Sequence, residues 1–488
     1  MSEEIDPSGA WALREALRLG EASSRDLVGR ALDLAEAHCG PVGEHYGHAG
    51  EPRGLGSFVS LNRELALAEA DAADARIAAT PRPERHGLPP LLGLPTAHKD
   101  LVDQRGHVTT HGSWAVPHLV AEHDEPITAA VRAAGAVSIG KTQVPEFGIA
   151  GYSENELAPP ARNPHDPALT AGGSSGGTAA AIASGVIPAA IASDAGGSIR
   201  IPAAACGLIG LKPGRGVVPA DALRGPLDEA GAPRMGVSGP IARSARDAAL
   251  LYDALLVGAG SPALRAVQRA EDLRGLRIGV SLASPFEGWV DIRFDPEARA
   301  ALDAGVEALA SLGHAVEETR FAYDPRYPEA FTTVWTAALA RVPFEPAAEQ
   351  RLGALARMFL ERARATPAEA LAEAVEALHA FAAGAVQQWG SYDAVLTPAL
   401  AFPPPRVGAF RELGPEGDYR LQCQWAPQTS MVNVTGMPAV AVPVRRTPAT
   451  AGHPDGLPMG VQLIGRAGDE IRLLQLAEQL TAYASTSR

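Results

Sequence analysis

Three features of the sequence predict an α/β fold. Short apolar runs of strand character alternate with helical patterns, glycine clusters stand where such runs give way to helices, and 488 residues supply enough chain for a large core. Residues 8–38 and 62–80 place apolar and charged residues at helical spacing, broken by a capping-type turn near Gly20 to Ser24. The Pro-rich stretch 81–90 reads as a loop. LLGLPTAH after it reads as a buried strand that brings Lys99 and Asp100 to its end, where α/β sheets keep their chemistry. AVSIG (136–140) gives a second short strand, and TAAAIASGV (178–186) a helix that follows a glycine cluster.

Further along, 297–320 and 335–387 are Ala-rich and read as helical, flanked by the strand-like runs LRIGVSLA and YDAVLTPAL. This block suits an inserted cap. Residues 401–418, AFPPPRVGAFRELGPEGD, read as a long loop, and MPAVAVPV and MGVQLIG return to strand before a final helix. With neither internal repeats nor an interdomain linker, 1–488 reads as one domain. Its parts are N-terminal helices 8–80, a core 91–260, a helical, substrate-shaping region about 285–390 and a return to the core over 392–488.

A formal net charge of −14, with no dense Lys/Arg block to reverse it locally, excludes nucleic acid as an expected partner. The start MSEEIDPSGA is acidic, and no run of about 18 uncharged apolar residues occurs, so the expectation is a soluble, cytoplasmic protein off the membrane, a monomer or homodimer. Cys39, Cys206 and Cys423 are too few and too widely spaced for a disulfide framework or a metal-binding pair. Cys206, after an apolar run, reads as a small buried residue rather than a nucleophile.

Only three of the 42 cationic residues are lysines, Lys99, Lys141 and Lys212. A lysine kept in such a chain suits a place where the amine must lose its proton, which arginine cannot do. Ala171 to Pro202 then contains two glycine-flanked serine sites 24 residues apart, at Ser174 and Ser198. Glycine lets a backbone approach a ligand closely. In Asp194-Ala-Gly-Gly-Ser198 the N–H groups of Ala195, Gly196, Gly197 and Ser198 are placed to converge as an oxyanion hole beside a nucleophile. A serine needs a base, and no G-x-S-x-G elbow is present. Lys99 at a strand end fits a serine–lysine variant of the triad.

GGSSGG at 172–177, DAGGSIRIP at 194–202 and CGLIGLKP at 206–213 resemble the amidase signature family. So do GLPTAHKD at 93–100, the GKT-PEF pattern at 140–147, RNP at 162–164 and the late NVTGMPAVAVPV and GLPMGVQLIG segments. The resemblance implies an α/β/α sandwich around a large mixed, twisted sheet. It implies Ser198 as nucleophile, Ser174 in a cis peptide as bridging serine and neutral Lys99 as base, its pKa lowered by burial. Ser175, Asp194 and Arg200 match positions that support the loop by hydrogen bonding, with Ser175 the alternative relay serine. Substrate lining is expected from loops 147–157, with Ile149, Gly151 and Tyr152, and from 320–430. The family's usual small apolar residue before the lysine is replaced by His98, read as a buried neutral histidine.

Competing signals are weaker. GAVSIGKT (135–142) fits the phosphate-loop pattern, but AVSI is itself strand-like and Pro145 interrupts any following helix. His107 and His111 are four apart beside His98, His118 and His123, yet VTT between them disfavours the helix that would align them on a metal. No metal and no cofactor are expected. The function implied is cleavage of the C–N bond of small or aryl amides through a Ser198 acyl-enzyme, reaching esters, carbamates (urethanes) and cyclic or oligomeric amides by the same chemistry. The alternative is the amidase subunit of a glutamine-dependent tRNA amidotransferase. Such subunits usually carry an SSLDQ-like segment where this chain has RGPLDEAGAPRMGVSGP. Lys99→Arg is expected to inactivate, and Lys141→Arg and Lys212→Arg to be milder.

Overall fold

The computed structural model describes residues 8–38, 54–256, 258, 260–450 and 452–486. Cys39 and the acidic segment 1–7 lie outside the described residues. Among the described residues the strands are β1 (Phe58–Leu61), β2 (Pro95–Lys99), β3 (Val137–Thr142), β4 (Arg162–Asn163), β5 (Asp166–Thr170), β6 (Ala189–Asp194), β7 (Ile209–Lys212), β8 (Val237–Ala242), β9 (Arg277–Val280), β10 (Ala315–Glu318), β11 (Ala394–Pro398), β12 (Ala439–Arg446) and β13 (Pro458–Gly465). Eight of them form one mixed sheet in the order β10-β9-β11-β13-β12-β7-β8-β6. In it β9 runs parallel to β10 and β11, and the remaining neighbours are antiparallel.

Alternation along β12 shows how the layers arise. Val440 and Val442 enter one core with Leu473, Leu476 and Leu480 of the helix Glu470–Thr486, and with Leu250 of the helix Ala245–Leu255. Ala441 faces the other side, where the helices Gly176–Ala183 and Arg200–Ala205 bury Ala179, Ala180, Ala203 and Ala204. Large side chains fill the first face, at about 1.5–3 kcal/mol for each fully buried Val or Leu. Alanines on the second let two glycine-led helices sit close to the sheet. The result is a large mixed sheet between helical layers, the α/β/α arrangement that the sequence resemblance implies.

The N-terminal helices form as their sequence predicts. Ala10–Leu19 ends on Gly20 at φ 74°, Ser24–His38 follows, and Arg63–Ala79 is capped by Asn62 Oδ1 accepting from Leu65 N. The expected helix over 297–320 stops earlier: Pro296–Ser311 is helical, Gly313 turns the chain at φ 88°, and Ala315–Glu318 pairs in parallel with β9 as an exposed edge strand. The block 335–387 is several helices rather than one run, including Tyr327–Ala337, Ala354–Ala365 and Ala368–Trp389. The loop expected at 401–418 ends sooner, because a helix spans Gly414–Trp425.

β1, β3 and β2 form a smaller sheet, with β2 parallel to β3. β2 also lies along the edge strand β6. Thr96 Oγ1 donates to Ala189 O at 3.3 Å near their starts, and Lys99 meets Ser193 at their ends, so both strands advance in the same direction. That shared direction brings the end of β2 to the glycine loop that leaves β6.

Candidate active site

Lys99 Nζ stands 2.9 Å from Ser174 Oγ, 3.1 Å from Ser193 Oγ and 3.2 Å from Ser193 O. All three catalytic candidates are nearly enclosed: Lys99 and Ser174 are 2% exposed and Ser198 7%. Burial pulls the Lys99 amine down to about 7, with Asp194 pulling the other way. Ser174 lies in the turn from β5 to the helix Gly176–Ala183, and the Gly173–Ser174 peptide is cis. Ser153 pins this turn, its Oγ donating to Ser174 O at 3.2 Å and accepting from Gly176 N at 3.0 Å. A β-carbon on Gly173 would meet Tyr152 N at 2.6 Å, so only glycine fits there.

Ser198 lies between β6 and the helix Arg200–Ala205, and the two serine loops are tied where Ser175 N–H donates to Ser198 O at 3.3 Å. Of the four N–H groups expected to converge, Gly197's is turned away: it donates to Asp194 Oδ1 at 2.8 Å. The N–H groups of Ala195, Gly196 and Ser198 have no acceptor among the described residues. Gly197 holds φ 130°, and a β-carbon there would lie 2.6 Å from Thr429 Oγ1.

Beneath the loop, Asp194 and Arg200 are buried and paired. Arg200 uses its whole guanidinium: Nε and Nη2 donate to Asp194 at 3.0 and 2.9 Å, Nη1 to Thr429 O and Gln462 Oε1, and Nη2 also to Asn433 Oδ1. Burial alone would raise the Asp194 pKa, but Arg200 overrides it and keeps the carboxyl well below the usual range. Asp194 then holds the turn through Gly197 N and Ile199 N.

Two cavities meet at Ser198. One, of about 60 Å³, is walled by Phe286, Phe331, Trp335, Tyr419 and Trp425. The other, of about 320 Å³, contains Lys99, Ser174 and Ser193, and reaches Glu229, Arg234 and Arg341. Ile149 lines both and Gly151 the smaller. Tyr152, expected in the substrate lining, borders neither; it lines a separate groove of about 540 Å³ with Ile149, Glu154 and Asp418, where its ring stacks on Phe410 at 4.6 Å and its hydroxyl donates to Asp418 Oδ2 at 2.5 Å. Neighbouring residues of one loop point to different sides.

The other sequence candidates fall into place. The phosphate-loop pattern is β3 itself, with Gly140 and Lys141 paired to β1, and Lys141 Nζ donates to Val102 O at 2.5 Å and Thr109 Oγ1 at 2.9 Å. Lys212 Nζ donates to Pro213 O at 2.8 Å. Both lysines are 0% exposed, so the expectation of mild Lys141→Arg and Lys212→Arg substitutions does not suit the fold: a guanidinium would be forced into closed space. His98 is buried and pulled down to about 3 by burial and then by Lys141, so it is neutral. Cys206 and Cys423 are buried free thiols. Ser175 contributes its N–H, while its buried Oγ has no partner among the described residues. Among the described residues no helix is long and apolar enough to cross a membrane.

Sequence reasoning missed Ser193, Ser153, Asn433 and Gln462. Asn433 and Gln462 stand inside the late NVTGMP and GVQLIG motifs, so the signal was present without a role attached. Ser193 precedes Asp194 on β6, and only the pairing of strand ends reveals it.

A family model described as Amidase matches residues 52–474. "Putative amidase AmiB2" of Mycobacterium tuberculosis (strain ATCC 25618 / H37Rv) is 38% identical over 438 residues, covering 87% of this chain and 88% of that protein. The solved structure of 6-aminohexanoate cyclic dimer hydrolase complexed with substrate superposes with a TM-score of 0.80 at 27% identity, over 99% of each chain. A bacterial aryl acylamidase of the amidase signature family shares the fold, with a TM-score of 0.77 at 22% identity over 98% of this chain and 97% of that one. The chain therefore belongs to the amidase family and is an amidase, a hydrolase of amide C–N bonds.

Proposed function

We propose that this amidase works by serine acyl transfer, with Ser198 as nucleophile, Ser174 as relay and Lys99 as base, in a single free-standing domain. One observation carries the reading: a buried amine, lowered to about 7 and so substantially neutral near pH 7, stands 2.9 Å from the hydroxyl of Ser174. As Ser198 Oγ attacks the amide carbon, its proton passes to Ser174 Oγ while Ser174 gives its own to Lys99 Nζ. The carbonyl oxygen takes negative charge within reach of the unpaired N–H groups of Ala195, Gly196 and Ser198. The C–N bond then breaks, the relay runs backward to protonate the amine, and an ester of Ser198 remains. Water, deprotonated through the same relay, cleaves that ester and releases the acid.

The aromatic cavity favours an aryl or apolar acyl group, and the structural likeness to a cyclic dimer hydrolase makes cyclic amides, with carbamates and esters, reasonable further substrates. The steps need no metal or cofactor. Acidic charge and unpaired buried thiols favour a cytoplasmic enzyme without a nucleic acid partner.

The test is purified protein alone with a nitroanilide, hydroxylamine as competing nucleophile and a serine-directed phosphonate. Hydrolysis, hydroxamate formation and phosphonate on Ser198 are expected. Turnover only with glutamine, charged tRNA and partner subunits would place the chain in an amidotransferase instead, and a label on another residue would end the Ser198 assignment.

A further inference from the structure

The two cavities at Ser198 differ in chemistry as well as size. Among the described residues no charged side chain lines the aromatic one. The larger one holds Ser174, Lys99 and a group of charges at Asp228, Glu229, Arg234 and Arg341. On the Ser198–Ser174–Lys99 reading, on which this inference rests, the proton returned to the leaving amine comes from Ser174. Ser174 lines only the larger of these two cavities, so the amine half of the substrate lies there and the acyl half in the aromatic cavity.

The charges in the amine-side cavity are arranged for exchange. Glu229 and Arg234 come from the loop RGPLDEAGAPRMGVSGP, the stretch that departs from the SSLDQ-like pattern. That loop is held by its own bonds: Asp228 Oδ1 accepts from Ala230 N and Ala232 N, and Arg234 donates through Nε to Gly225 O and through Nη2 to Leu227 O. Arg341 closes the short helix Ala338–Arg341 opposite. Its Nη1 meets Glu229 Oε2 at 2.6 Å, and Arg234 Nη2 stands 3.6 Å from Glu229 Oε1. The Arg341 guanidinium makes no other polar contact among the described residues.

Glu229 is 68% exposed, so this ion pair is screened by water and holds the fold together only weakly. A second carboxylate can take its place at little cost. Guanidinium is also the group best matched to a carboxylate, through two parallel N–H donors. Asp228 lines this cavity too, but its Oδ1 is taken up by Ala230 N and Ala232 N, which leaves Arg341 and Arg234 as the guanidinium groups there that can meet a substrate anion.

We propose that Arg341, with Arg234 beside it, recognises a carboxylate on the amine half of the substrate, and that Glu229 is the resident counter-ion which the substrate displaces. The substrate class is then N-acyl derivatives of amino acids, with an aryl or apolar acyl group in the aromatic cavity and the free amino acid as the leaving amine.

The experiment compares kcat/KM for three amides of one acyl group: 4-benzamidobenzoate, neutral benzanilide and the cationic N-[4-(aminomethyl)phenyl]benzamide. The expected order is carboxylate above neutral above cation, with the preference shrinking as salt is raised. In Arg341→Gln the carboxylate-to-neutral ratio should fall about tenfold or more, as for loss of a charged hydrogen bond. Arg341→Lys should keep part of it, and Glu229→Gln should lower KM for the carboxylate. A cation preference, or an Arg341→Gln that lowers carboxylate and neutral substrates equally, overturns the proposal. Failure of the underlying mechanism reads differently: none of the three amides would turn over in a Ser198-dependent way, and phosphonate would not label Ser198.

Discussion

The ends of β2 and β7 make an instructive pair. Each carries a buried lysine, Lys99 and Lys212, and burial lowers each to about 7. Their surroundings separate them. The Lys99 amine faces two serine hydroxyls and lines a cavity that reaches Ser198. The Lys212 amine donates to the Pro213 carbonyl, lies near the positive charge of Arg200, and lines neither cavity at Ser198. A lowered pKa therefore marks enclosure, and a partner able to exchange a proton with substrate turns enclosure into chemistry.

The comparison breaks first if the nucleophile is not where β6 and β2 meet. Ser198→Ala should lower kcat by about 10⁴-fold or more while the folded state persists, because the acyl-bearing atom is gone. A circular dichroism spectrum and melting curve like the wild type's, with no turnover, is the expected pair of results.

Next comes the contrast between the two lysines. Lys99→Arg keeps the charge and should still cost about 10² to 10⁴-fold in kcat, since guanidinium cannot take the proton. Lys212→Met should leave kcat within about tenfold, because Met fills similar space and removes a buried amine. Lys212→Arg should be destabilised by about 1–3 kcal/mol through overpacking. Equal kinetic damage in Lys99→Arg and Lys212→Met would remove the distinction.

How far this contrast was readable in the sequence depends on the residue. Scarcity of lysine singled out all three, and all three are enclosed, because a surface that uses arginine throughout leaves lysine only where the interior required it. Which of them faces a serine was carried by the motifs around Ser174 and Ser198, not by composition. Ser193 stayed hidden because its role depends on two strands 94 residues apart ending together. β10 was hidden for a different reason. Its AVEE is short, exposed and without apolar alternation, so nothing local opposed continuing the helix. The Gly197 N–H was read as free because its acceptor, the side chain of Asp194, is set in place by Arg200 and by the distant Asn433, whose Nδ2 donates to Asp194 Oδ1.

pH sharpens the comparison further. A lysine lowered from 10.5 to about 7 is protonated in the unfolded chain and neutral in the fold between those values, so the unfolded state binds more protons there. Stability should rise with pH from about 7 toward 10.5, with a limiting slope of about 1.4 kcal/mol per pH unit for each lysine. Below 7 both states are protonated and the penalty is fully present. Both lysines contribute to that slope, but kcat/KM should rise through about pH 7 because of Lys99 alone. Lys212→Met should therefore flatten the stability curve from urea titrations and leave the activity profile in place. A shifted activity profile in that variant would show that the two sites are coupled.

The smallest effect tests whether enclosure without a route to Ser198 is silent in catalysis, and Tyr152 provides it. Its hydroxyl donates to Asp418 Oδ2, and the ring lies outside both cavities that reach Ser198. Burial raises Asp418 from 3.8 to about 6, opposed by the bond from Tyr152. A carboxyl raised in the fold contributes stability that is fully present below about 3.8 and is lost as pH rises through about 6. Tyr152→Phe removes the donor and should push Asp418 higher, so that the loss continues above 6 and the variant falls further below the wild type at pH 8 than at pH 5. The unpartnered carboxylate oxygen should cost about 1–3 kcal/mol in urea unfolding at pH 8. kcat should change by less than about threefold, because the phenol touches neither the serine relay nor the substrate cavities. A large fall in kcat with unchanged stability would return Tyr152 to the substrate lining, and would show that the groove it faces communicates with Ser198.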